Sequence, residues 1–169
     1  VRRMTEEDYD IGIAFDGDGD RILLVSKSGI VLDGDDLLFL LTSKNSLDSS
    51  DSKERGVVGT LMTNKALENH FRDTNINFTR TDVGDKYVLD ELLNRGWFLG
   101  GEPSGHIICL AVSSTGDALI AALKILYNTK AVSYTHLRAH ESRHDLVCRL
   151  LLHKIILTFY ESIISSNIL

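Results

Sequence analysis

Proline is almost missing from this 169-residue chain: the only one, Pro103, stands in the run Gly100-Gly-Glu-Pro-Ser-Gly-His106. Proline-rich spacers and polyproline recognition segments are thereby excluded. Cysteine is scarce too. Cys109 and Cys148 lie far apart in unlike contexts and cannot frame a disulfide-stapled secreted domain, so reduced thiols are expected. No stretch approaches the roughly 18 apolar residues of a membrane span, and Val1-Arg-Arg-Met-Thr-Glu6 has no apolar leader core. A soluble cytoplasmic protein with no membrane partner is the expectation. Positive charge is also in deficit, with 18 Lys and Arg against 24 Asp and Glu for a net charge of -6. That balance argues against a nucleic-acid partner, whose phosphates need a basic face. An anionic substrate would need a bound cation or a local basic pocket.

What is present suits a globular chain. Hydrophobic residues make up 43% and charged residues 25%, enough to close a core over one domain with pieces of its neighbours. The chain opens on Val1 and its first strand-like run begins only at Ile11, from which we expect a truncated N-terminus. Ile11-Gly-Ile-Ala-Phe15 is a short unbroken apolar run ending at an Asp/Gly cluster, the pattern of a buried parallel strand that delivers a loop to a site. Residues 22–25 and 30–32, joined across Ser26-Lys-Ser-Gly29, read as a hairpin. A domain boundary is expected near Asp33, followed by a helix over 35–42 and a polar Ser/Asp-rich connection over 45–54.

Beyond that connection, strands at 57–61, 76–79 and 97–99 alternate with helices at 65–71 and 86–94. Val88, Leu89, Leu92 and Leu93 would make the inward face of the second helix. Residues 107–112 read as a strand returning from the loop at 100–106, and Thr115-Gly-Asp117 opens a last helix with Leu119, Ala122, Leu123 and Leu126 on one side. The alternation predicts an α/β fold, a mixed sheet layered with helices.

Chemistry concentrates in Asp16-Gly-Asp-Gly-Asp20-Arg21. Three carboxylates at alternate positions, separated by glycines that permit unusual backbone angles, can converge on one hard divalent cation. Mg2+ favours carboxylates together with a phosphate oxygen, so a phosphoryl group is the natural remaining ligand. Arg21 would face that phosphate or hold a carboxylate in place. A calcium EF-hand loop is excluded by spacing, because Arg21 and Lys27 stand where it needs Gly and Glu. The second run, Gly101 to His106, places a carboxylate and a hydroxyl, Glu102 and Ser104, two residues apart on a glycine-freed turn. That pairing suits vicinal sugar hydroxyls, although a tight hairpin with a polar tip explains the run alone equally well.

Taken together, residues 16–21 and 101–106 resemble the metal-binding and sugar-binding loops of the phosphohexomutase superfamily. Gly59-Thr-Leu-Met-Thr-Asn64, Val83-Gly-Asp-Lys-Tyr-Val88 and Thr115-Gly-Asp117 bring the resemblance closest to bacterial phosphoglucosamine mutases, over roughly residues 9–127. Thr63, where Ser is more usual, and Pro103 are small departures. The resemblance implies a phosphohexomutase-type fold of four domains. Residues 1–32 would be the end of the metal-loop domain and 33–130 the sugar-binding domain, with the phosphoserine and the phosphate-gripping domain outside this chain. Asp16, Asp18 and Asp20 would ligate Mg2+, with Arg21 beside them; Glu102 and Ser104 would hold the sugar, and His106 would point into the cleft as a hydrogen-bond or proton-transfer partner. Asp85 and Lys86 fall at a segment facing the same cleft, Lys86 as a substrate-binding residue. The implied reaction interconverts glucosamine 6-phosphate and glucosamine 1-phosphate through a bisphosphate, and the fragment alone is expected to be inactive. Phosphomannomutase or phosphoglucomutase activity is the alternative within the family, and a non-catalytic sugar-phosphate binding module the alternative outside it.

Residues 131–169 differ in composition. They hold four of the six histidines, and His140-Glu-Ser-Arg-His144 matches the H-E-x-x-H pattern of zinc proteases, with His136, His153 or Glu161 as further ligands. Val132 to Glu141 and Asp145 to Leu152, however, resemble a translated adaptor sequence. The tail is therefore expected to be non-native-looking and poorly packed, and zinc proteolysis is the least favoured reading.

Overall fold

The computed structural model describes residues 2–6, 9–42 and 56–132. The polar connection at 45–54 and the histidine motif at 140–144 lie outside them. A short helix α1 (Arg2–Glu6) precedes an antiparallel sheet of β1 (Ile11–Phe15), β2 (Ile22–Ser26) and β3 (Val31–Leu32), in the order β1-β2-β3. The β2–β3 hairpin forms as expected: Gly29, at φ 81°, turns the chain and Ser26 Oγ accepts the Ile30 amide at 3.1 Å. β1 departs from expectation. It pairs antiparallel with β2, Ile13 opposite Leu24 and Phe15 opposite Ile22, and Ile13 and Phe15 are exposed. An apolar run of five residues signals a strand, but not its partner's direction or which side is covered.

The second sheet is built from β4 (Gly56–Thr60), β5 (Asn77–Thr81), β6 (Leu99–Gly101) and β7 (Ile107–Cys109), in the order β5-β4-β6-β7. β4 is parallel to both β5 and β6, and only β7 returns antiparallel. Helices α2 (Gly34–Thr42), α3 (Lys65–Asp73), α4 (Asp85–Arg95) and α5 (Ala118–Val132) surround it. Neighbouring strand residues face opposite layers. Val57 and Ile107 join Leu37, Leu38, Phe71 and Ile125 under α2, α3 and α5, whereas Val58 and Ile108 join Val88, Leu92 and Trp97 under α4. The chain runs outward from β4 to β5 through α3 and back past β4 to β6 through α4, and this reversal sets the two crossover helices on opposite faces. The first core is continuous with Ile22, Leu24 and Leu32, so the hairpin and the second sheet share one interior across Asp33.

The helix starts are chemically explicit. Asp33 Oδ1 accepts the amides of Asp35 and Asp36 at 3.0 and 3.2 Å, Asn64 Oδ1 accepts Ala66 N at 2.9 Å, and Asp117 Oδ1 accepts Ile120 N at 2.9 Å. Four expectations shift. β6 begins at Leu99 because Trp97 turns into the α4 layer, and β7 ends at Cys109 because the amides of Val112 and Ser113 fold back on its carbonyl. Leu93 is exposed, leaving Val88 and Leu92 as the buried residues of α4. In α5 the buried side is Ala118, Ala121, Ala122 and Ile125, while Leu119 and Leu123 face outward. Small residues let α5 approach α2 closely, so the larger side chains go to the other face.

Candidate active site

The acidic run leaves β1 on a loop that turns at Gly19, where φ is 74°. Asp16 secures it, its Oδ1 accepting the amides of Gly19 and Arg21, both at 3.1 Å. The ligand oxygens of Asp16, Asp18 and Asp20 thereby fall within 4.8 Å of one another. Their closeness appears in their acidities. Contact with the Asp16 side chain, burial, and repulsion from Asp16 and Asp18 push the Asp20 carboxyl up. Burial also pushes Asp16 up, but the Arg21 amide, the Asp20 side chain and the amides of Gly19 and Asp20 outweigh it and hold Asp16 below the usual range. Asp20 Oδ1 is buried and meets no hydrogen-bond partner among the described residues. Crowded carboxylates with an orphaned oxygen could hold a hard divalent cation. Arg21 Nε lies 3.9 Å from Oδ2 of both Asp16 and Asp20, so it braces the loop from the side.

The second run is a hairpin connection between β6 and β7. Gly105 N donates to Glu102 O and Glu102 N to His106 O, both at 3.0 Å, with Gly105 at φ 91°. Such three-residue connections need a residue in the left-handed region at this place. The loop follows the carboxyl end of β6 and stands beside the ends of the parallel strands β4 and β5, where α/β sheets bind ligands. Glu102 Oε1 accepts the Gly84 amide at 2.8 Å, at the start of α4. This fixes one oxygen of the carboxylate and ties the loop to Gly84, two residues before Lys86, which is exposed on the first turn of α4. Asp85 Oδ1 accepts the Lys86 amide at 2.8 Å. Ser104 is exposed at the tip.

Main-chain contacts stitch the two loops together. Ile22 N donates to Gly105 O at 3.1 Å, Arg21 and His106 form an antiparallel bridge, and Ala118 N at the head of α5 donates to Gly19 O at 3.1 Å. Gly34 N meets Pro103 O at 3.0 Å. His106 does not stand free in the cleft. Its side chain is 9% exposed, with Nδ1 3.6 Å from Asp20 Oδ2. The ring lies against Gly116, where an added Cβ would fall 1.8 Å from Nε2.

Two contributors escape sequence reading. Gly84 serves through its amide, and its partner Glu102 is 18 residues away. Arg80 pairs with Glu68 through Nε and Nη2 at 3.0 and 2.7 Å, and its Nη1 donates to the carbonyls of Thr60, Leu61 and Thr63 at 3.0, 3.2 and 2.7 Å. It pins the loop after β4 at the mouth of the same edge. An arginine among polar strand residues carries no mark of that task. For Gly116, by contrast, the motif Thr115-Gly-Asp117 is visible, as a helix opening and as part of the family resemblance, but not as the seat of the His106 ring.

Comparison with known proteins places this geometry in context. Residues 33–145 match the family model described as phosphoglucomutase/phosphomannomutase, alpha/beta/alpha domain III. A phosphoglucosamine mutase of Pseudomonas fluorescens is 53% identical over 128 residues, covering 76% of this chain and 28% of that protein. A phosphoglucomutase/phosphomannomutase family protein of Burkholderia thailandensis superposes with TM-score 0.70 at 26% identity, over 78% of this chain and 28% of the other. An N-acetylphosphoglucosamine mutase of Aspergillus fumigatus, solved in complex with GlcNAc-6P and magnesium, has the same fold at TM-score 0.57 and 18% identity, over 72% of this chain and 33% of that one. The chain thus spans about a third or less of each relative.

Proposed function

The chain belongs to the phosphohexomutase family, and from that premise we propose that it is the cation-loop and sugar-loop portion of a mutase interconverting glucosamine 6-phosphate and glucosamine 1-phosphate. The observation that carries this reading is the seam between the loops: a cation cluster and a sugar-type hairpin, some 80 residues apart in sequence, joined by Ile22 N to Gly105 O and by the Arg21–His106 bridge. The preference for glucosamine rests on the 53% identity to a phosphoglucosamine mutase.

Phosphoryl transfer asks mainly for positioning and for neutralisation of charge on the moving oxygens. Mg2+ held by Asp16, Asp18 and Asp20 would supply the neutralisation. The protein's own part follows from its contacts. Arg21 keeps the carboxylates converged and presents its remaining donors to the transferred phosphoryl group. Glu102, aimed by Gly84 N–H, and Ser104 take sugar hydroxyls, and Lys86 adds positive charge at the first turn of α4. His106 closes the wall between the loops. The serine that exchanges phosphoryl groups and the domain gripping the distal phosphate belong, in this reading, to the length of the relatives that this chain does not span.

The test is a chimera that supplies the remaining regions from a phosphoglucosamine mutase, assayed on glucosamine 6-phosphate with Mg2+ and a bisphosphate activator. Turnover is expected, with a loss of at least about a hundredfold on Asp18→Asn. Turnover only on glucose or mannose phosphates would overturn the sugar. A folded chimera that binds phosphosugar without converting it would make this a binding module.

A further inference from the structure

We infer that His106 is a positioning residue for the cation ligand Asp20 and that Gly116 is the seat that makes room for it, so the sugar loop sets the geometry of the cation loop through one side chain. The inference rests on the reading of Asp16, Asp18 and Asp20 as cation ligands.

Three observations point the same way. His106 belongs to the sugar hairpin, since its carbonyl accepts Glu102 N, yet its ring leaves that hairpin and stops beside Asp20, Nδ1 to Oδ2 at 3.6 Å. The two Asp20 oxygens are distinct: Oδ2 faces the imidazole and Arg21, while Oδ1 is buried and orphaned. At 3.6 and 3.9 Å the imidazole and guanidinium stand beyond hydrogen-bond length of Oδ2, yet they confine the side of the carboxylate they face, and partners behind a ligand tune a metal site in this way. Finally, the far edge of the ring is confined. Nε2 is buried without a partner among the described residues and lies against Gly116. That leaves Nδ1 as the ring nitrogen that faces a polar partner, Asp20. Gly116 is itself tied to β7 through its bridge to Ile108, and α5 begins two residues later with Ala118 N on Gly19 O. The ring is therefore gripped between the sugar hairpin, the head of α5 and the cation loop. A residue serving only as core filler would need neither a donor at Nδ1 nor bare backbone behind Nε2.

The experiment measures Mn2+ binding to the full chain by electron paramagnetic resonance, with far-UV circular dichroism to confirm folding. His106→Leu fills the space without a donor and is expected to weaken binding about tenfold or more. His106→Asn keeps an N–H where Nδ1 stands and is expected to stay within about threefold of wild type. Gly116→Ala should weaken binding like His106→Leu in the wild-type background and have no effect added to His106→Asn, where no ring atom meets the new methyl group. This second pair decides the matter if His106→Leu fails to fold. Wild-type binding by His106→Leu, equal losses in the Leu and Asn variants, or an undiminished Gly116→Ala effect on His106→Asn would overturn the inference while leaving the cation site intact. Mn2+ binding unaffected by Asp18→Asn, or no saturable binding at all, would instead overturn the cation reading and this inference with it.

Discussion

Asp35 joins two helices at a cost that depends on pH. Its Oδ2 accepts Asn64 N at 2.8 Å, tying the head of α2 to the head of α3, while Oδ1 is buried without a partner among the described residues. Burial raises its carboxyl to about 6; Asp33 and Asp36 push the same way, and the Asn64 amide and Arg80 oppose them. A carboxyl whose folded value lies above its unfolded one takes up a proton on folding, so between about pH 4 and pH 6 stability falls as pH rises, and the loss is complete above 6. Asparagine can still accept from Asn64 N. Asp35→Asn should therefore be more stable than wild type at pH 7.5, by about 1–2 kcal/mol after discounting for solvent screening of a half-exposed group. The advantage should vanish near pH 4, as read by urea denaturation at both pH values. Gly34 is less forgiving, because a Cβ there would fall 1.9 Å from Glu102 O. Gly34→Ala is expected to cost about 1–3 kcal/mol and to shift the Glu102 and Gly84 amide resonances, since α2 and the sugar hairpin must separate.

Among the elements, β5 carries more than its pattern suggests. Arg80 on this strand holds three carbonyls of the loop after β4 and pairs with Glu68 of α3. Arg80→Ala strands those acceptors and is expected to cost about 2–4 kcal/mol, with faster amide hydrogen exchange at Met62 and Thr63. Phe71 of α3 is wholly buried with its ring 5.4 Å from Phe78, and Phe71→Ala should cost about 3–5 kcal/mol by chemical denaturation. Helices α2, α3 and α4 were legible in the sequence to within two residues of the observed ends because their caps and periods are local signals: Asn64 before α3 and Gly96 after α4 are where the rules put them, whereas α1 was not foreseen and only the start of α5 was. For β1 and α5, direction and facing were not legible. β1 proved antiparallel and open on its apolar side, and α5 turned its alanines inward, because both outcomes are decided by what packs opposite. The convergence of Asp16, Asp18 and Asp20 was legible from alternation alone. The burial of His106 was not, since it depends on Gly116, ten residues on and across a strand.

On the scale of the whole molecule, one interior runs from Ile22 and Leu24 through α2 to Ile125, while Trp97 reports on the opposite layer. Unfolding is accordingly expected as a single transition, with Trp97 fluorescence and far-UV circular dichroism coinciding; separated midpoints would show that the hairpin and the second sheet melt apart. Phe15 and Val31 on the first sheet, and Leu119, Leu123 and Tyr127 along α5, are apolar and exposed. What crosses between the two loops is of another kind. Ile22 N to Gly105 O and the Arg21–His106 bridge are main-chain contacts, indifferent to the identity of the side chains at 102, 103 and 104. On the proposed function, a lineage carrying this seam can exchange residues 102–104, its proposed sugar contacts, while inheriting the acidic loop unchanged. The position it cannot trade is Gly105, whose missing Cβ would lie 2.2 Å from Ile22 O. If the proposed function holds, new specificities can arise on such a frame by substitution at the tip alone, with the acidic loop passed on intact.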